Sequence, residues 1–105
     1  MPDFSKIFEQ AQQMQARMQQ VQSELEKQTV NAAAGGGMVS VEADGKGTIT
    51  RVRIDPSVAD PKDVEMLEDL ILVAVNEAQK KAAELAKSEM SRLAGGLNLP
   101  FKLPF

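Results

Sequence analysis

The chain has 105 residues, a formal net charge of −3 and a pI near 4.9, with 43% hydrophobic residues. That content suits one domain with a modest core and is too apolar for a disordered tail. Cysteine and histidine are both absent, which excludes disulfides, thiolate or imidazole metal sites and the common nucleophilic triads, and leaves only carboxylate or lysine chemistry.

The first predicted element is a helical arm over residues 3–28, with Asp3 as its cap. Its apolar positions Phe4, Ile7, Ala11, Met14, Met18, Val21 and Leu25 step alternately by three and four, the a/d pattern of a coiled-coil seam. Such a seam requires another helix, and Met14 and Met18 suit an irregular one packed against alanine. The polar face is rich in glutamine, from Gln10 to Gln22, with Lys6 and Arg17 as its cations before Lys27. Glutamine is a good helix former, so a solvated face is the plain reading; a face poor in carboxylates could also lie against phosphates.

The period then changes from 3.6 to 2. Thr29 to Ala33, Val39 to Ala43 and Thr48 to Asp55 predict a three-stranded antiparallel sheet within residues 29–55. Gly35-Gly36-Gly37 and Asp44-Gly45 are its turns. The glycine triplet lacks the Lys-Ser/Thr and the following helix that a phosphate-binding P-loop needs. Arg51 and Arg53 share one face of the last strand, where pairing with carboxylates such as Glu42 is the default. Ile49 interrupts that polar face, which predicts a sheet partly covered on both sides, as at a dimer interface.

After the Asp55-Pro56-Ser57 turn, residues 60–94 predict a second long helix, with Asp60 as its cap, Pro61 at its first position and Gly95-Gly96 as its stop. The stripe Leu67, Ile71, Val75, Ala78, Ala82, Ala86, Met90 and Leu93 keeps one face apolar. At about 1.5 Å per residue this helix is roughly 50 Å long and must project beyond its own sheet. Acidic residues lie early in it and Lys80, Lys81, Lys87 and Arg92 lie late, an order that complements the helix dipole. It also separates a basic arm from an acidic body by more than the Debye length of about 8 Å. Glu77 and Lys81 form a favourable i,i+4 pair. Residues 95–105 are a Pro-rich apolar tail, expected to dock into a groove of the protein's own dimer or, alternatively, to offer a ligand to a protein partner.

The ordered set Gln12-Gln13-Met14-Gln15, Val52-Arg53-Ile54-Asp55-Pro56-Ser57, Met66-Leu67-Glu68-Asp69-Leu70, Ala74-Val75-Asn76, Gly95-Gly96 and the Leu99 to Phe105 ending resembles the YbaB/EbfC family of bacterial nucleoid-associated proteins over nearly the full length. The resemblance implies an α+β fold of αβββα order, dimeric and tweezer-like, in which long helices project as arms and contact duplex DNA. Carried onto this chain, the DNA-binding candidates are Lys6, Arg17, Lys27, Lys80, Lys81, Lys87 and Arg92. The expectation is a cytoplasmic, nucleoid-associated homodimer with no enzymatic activity and no cofactor. No basic-then-apolar leader and no apolar run of about 20 residues indicate export or membrane spanning. The rival reading is a helical protein-interaction adaptor. A carboxylate enzyme built on Glu68 and Asp69 would require a pocket around both.

Overall fold

The computed structural model describes residues 4–96. Helix α1 (Phe4–Lys27) leads into strands β1 (Thr29–Ala34), β2 (Val39–Asp44) and β3 (Ile49–Ile54), then a 3-10 turn (Pro56–Val58) and helix α2 (Val64–Gly96). The molecule is elongated, with principal extents of 74 × 22 × 16 Å. The fold is α+β, an antiparallel sheet in the order β1-β2-β3 packed against one helix, with a second helix alongside that helix's far end.

Alternation decides which face of the sheet is covered. Val39, Val41 and Ala43 of β2 and Ala32 and Ala34 of β1 point to one side and are buried under Ala74 and Ala78 of α2. Alanine on both surfaces permits this close approach, while Leu67, Leu70, Ile71 and Val75 close the margins. Gly35, Gly36 and Gly37 all adopt positive φ in the β1–β2 turn, a conformation that L side chains rarely adopt. In the next turn Asp44 Oδ1 accepts from the N–H groups of Lys46 at 2.9 Å and Thr48 at 3.1 Å.

Three expectations change in this region. Ile49 does not cover the open face: a bulge between Glu42 and Ala43 pairs Arg51 with Glu42 but Ile49 with Ala43. The extra residue, Thr50, shifts the alternation by one, so Ile49 joins Val52 and Ile54 on the inner face. The open face is polar throughout β3, carrying Arg51 and Arg53. Second, α2 starts at Val64 rather than near residue 60. Asp60 instead closes a turn, accepting from Lys62 N–H at 2.9 Å, while Asp63 accepts from Met66 N–H at 3.2 Å and is the true cap. Third, Gly95 and Gly96 continue α2 to the last described residue. The Asp3 cap and the Pro-rich segment lie outside the described residues.

Between β3 and α2, Asp55 accepts from Ser57 N–H at 2.8 Å and caps the 3-10 turn. These hydrogen bonds, first from the Ser57 backbone and then from its side chain, hold the Asp55 carboxyl below its ordinary value.

Candidate nucleic-acid interface

The two helices run antiparallel. Leu25 of α1 faces Ala82 and Ala86 of α2 across one groove, and farther out Arg17 and Val21 face Glu89 and Leu93. Leu25 and Leu93 are the large residues buried in this arm, with Met14, Met18 and Val21 half-buried. The seam expected of α1 is therefore filled only in its second half. At the joint, Gly45 N–H donates to Leu25 carbonyl oxygen at 2.8 Å. Gln79 Nε2 donates to Gly47 oxygen at 3.3 Å, and Lys46 pairs with Glu26 at 3.0 Å. The arm is thus tied to the β2–β3 turn by short-range polar contacts.

The seven candidate cations do not form one patch. Lys80 and Lys87 lie seven residues apart on the outward side of α2, about 10 Å along the axis, both exposed and without an ion pair among the described residues. Lys81 points the other way. Its ammonium donates to Asn31 carbonyl oxygen of β1 at 2.7 Å, so the pair expected with Glu77 is not formed. That contact occupies a carbonyl on an edge strand, a common way to blunt an edge. Arg92 pairs with Glu89 at 3.6 Å, and both border the groove that Arg17 lines from the opposite helix. Lys6 and Lys27 lie exposed near opposite ends of α1.

The carboxylate pairing expected for Arg51 and Arg53 is not formed. Arg51 and Arg53 are exposed on the open sheet face, and neither forms an ion pair among the described residues, although Glu42 lies opposite Arg51 in register. The period-2 pattern placed them correctly on one face; their freedom depends on rotamer choice, which spacing does not encode. Glu68 and Asp69 do not share the hollow at this end of α2. Asp69 lines a shallow hollow with Asp63, Glu65, Met66, Leu70 and Val73, and Glu68 does not. Consecutive helical residues diverge by about 100°, so the two carboxylates leave α2 in different directions.

These features define a class: an α+β scaffold that presents charge on a helical arm and a sheet face rather than inside a cleft. The chain belongs to the YbaB/EbfC DNA-binding family, whose model matches residues 1–97. It is 52% identical to a nucleoid-associated protein of Gemmatimonas aurantiaca, covering 98% of this chain and 99% of that one. A nucleoid-associated protein of Granulibacter bethesdensis is 49% identical over the full length of both chains. Among solved structures, an uncharacterised protein from Helicobacter pylori superposes with a TM-score of 0.82 at 26% identity, covering 90% of this chain and 100% of that one. Among the described residues no helix is long and apolar enough to cross a membrane.

Proposed function

We propose that this chain is a nucleoid-associated protein that binds duplex DNA as a homodimer, mainly through phosphate contacts from its helical arms, and acts in nucleoid organisation or transcription regulation without catalysis. The observation that carries this reading is the outward pair Lys80 and Lys87, exposed, unpaired among the described residues and carried on a family whose description is DNA-binding. Arg92 is already paired with Glu89 and would release fewer counterions, and Lys81 is held at the β1 edge by the Asn31 carbonyl, so both rank below them. Lys6, Arg17 and Lys27 extend the contact along α1.

The homodimer is supported by what α2 leaves uncovered. Val52 and Ile54 point to the core side of the sheet yet are 44% and 38% exposed, because α2 lies over β1 and β2 rather than β3. Leu72 and Val73 of α2 are exposed as well. An edge strand with apolar side chains is a ready pairing surface, and a second copy offers the same one. Two arms held by one body would then contact DNA together, raising affinity through effective concentration.

The test is fluorescence anisotropy on mixed-sequence duplex from about 50 to 200 mM salt, the range over which phosphate-driven binding falls steeply. Affinity should fall with salt. Lys80→Gln with Lys87→Gln should flatten the slope by about one per lysine per protomer, and Lys81→Gln should leave it nearly unchanged. A folded dimer that shows no binding at the lowest salt would overturn the reading.

A further inference from the structure

The first half of α1 is an apolar surface that the described part of the chain leaves open. Phe4, Ile7 and Phe8 are 65%, 55% and 68% exposed, and Ala11 next to them is exposed too. Their cause is geometric. Running antiparallel, α2 meets α1 from Leu25 outward to Arg17, where Leu93 is buried. Gly96, three residues farther, ends the described chain while α1 still extends toward Phe4.

We propose that residues 97–105 of the same chain continue past Gly96 and dock along this stripe, completing the seam that α2 leaves half filled. Direction, length and pattern all agree. Because the helices are antiparallel, α2 runs toward the start of α1, and the segment begins where the open stripe begins. From Arg17 to Phe4 is about 20 Å of helix, and nine residues extended at about 3.3 Å each reach about 30 Å. Leu97, Leu99, Phe101, Leu103 and Phe105 occupy every second position, which places five apolar side chains on one side of an extended chain. Pro100 and Pro104 disfavour a helix and bias the residue before each toward extended backbone. Burying both apolar sets against each other removes from water a surface that would otherwise favour self-association.

The inference is independent of DNA binding, and its test involves none. The chain contains no cysteine, so Gln10→Cys with Lys102→Cys gives a pair with no background. Under mild oxidation the double variant should form a disulfide within one chain, seen as a fast-migrating monomer on a non-reducing gel. A control pairing Lys102→Cys with Ser40→Cys, on the open sheet face, should not. No cross-link, or one formed only between a Gln10→Cys chain and a separate Lys102→Cys chain, would overturn docking within the chain; the latter result assigns the stripe to a second copy. As a second readout, deletion of residues 97–105 should raise the fluorescence of an anilinonaphthalene sulfonate probe several-fold with an unchanged helical circular dichroism spectrum. Unchanged probe fluorescence in the folded deletion variant would also overturn it.

Discussion

The two halves of α2 use the same residue for different ends. Over the sheet, Ala74 and Ala78 bring the helix down onto Val39, Val41 and Ala43 in a layer at most 1% exposed. Along the arm, Ala82 is buried but Ala86 only partly, and the opposing helix contributes one buried side chain, Leu25. Small residues on both sides of the body give close packing. In the arm they give proximity without much buried area. Stability therefore resides at the sheet end and presentation at the arm end, and substitutions should report that division.

The largest expected effect is Val41→Asp. An unpaired carboxylate placed in the closed layer costs several kcal/mol, a large part of the stability of a small domain. The variant should lose its cooperative urea transition by circular dichroism. Val21→Asp, at a half-buried arm position, should fold and lose only about 1 kcal/mol. Equal losses at the two sites would show that arm and body are one cooperative layer.

The joint between the regions comes next. A Cβ built on Gly45 would lie 2.7 Å from the Leu25 carbonyl oxygen, a backbone atom that cannot swing away. Gly45→Ala should cost about 1–3 kcal/mol by overpacking. Gly36→Ala meets nothing within 4 Å but requires an L residue at a φ of +67°, at about 1 kcal/mol. Both should lower the urea midpoint, and a distance between spin labels on the helices separates the two causes: only Gly45→Ala should also move α1 from α2.

Charge offers a sharper division still. Arg51 and Arg53 are as unengaged on the body as Lys80 and Lys87 are on the arm. If the arms hold the DNA, Lys80→Gln with Lys87→Gln should weaken binding at least about tenfold at 100 mM salt, or 1.4 kcal/mol. Arg51→Gln with Arg53→Gln should change it less than about twofold. The reverse ranking would move the contact to the open sheet face.

Much of this architecture was legible in the sequence. Periodicities of 3.6 and 2 separated the helices from the strands, and the glycine turns were marked by residues with a conformational reason to be there. What escaped were features set by one residue or by direction. The Thr50 bulge changes which face Ile49 joins, and no alternation rule predicts an inserted residue. Two aspartates three residues apart, Asp60 and Asp63, compete for one cap; Asp60 is taken by its turn with Lys62, which leaves the cap to Asp63. Among the candidate cations, spacing placed all seven on helices but could not tell that Lys81 turns inward to Asn31 while Lys80 turns out. A 100° step between neighbours separates the two roles.

The smallest expected effect lies in the link from β3 to α2 and distinguishes body from arm by pH. Asp55 keeps its charge below the usual carboxylate range because Ser57 donates to it from backbone and side chain. A folded-state pKa below the unfolded one means that the unfolded chain binds more protons in the interval between them. The contribution is then complete above the ordinary value of 3.8 and is lost as pH falls through the lowered one. Asp55→Asn keeps an acceptor for the Ser57 N–H but removes the charge. Its urea midpoint should fall below that of the unaltered chain at pH 7, and the gap should close on acidification below pH 3.8. The contacts of Leu25 and Leu93 that hold the arm are apolar, so the distance between labels on α1 and α2 should not follow that titration. A gap that stays constant to pH 2.5 would mean that the capping geometry at Asp55, and not its charge, is what secures the exit from the sheet.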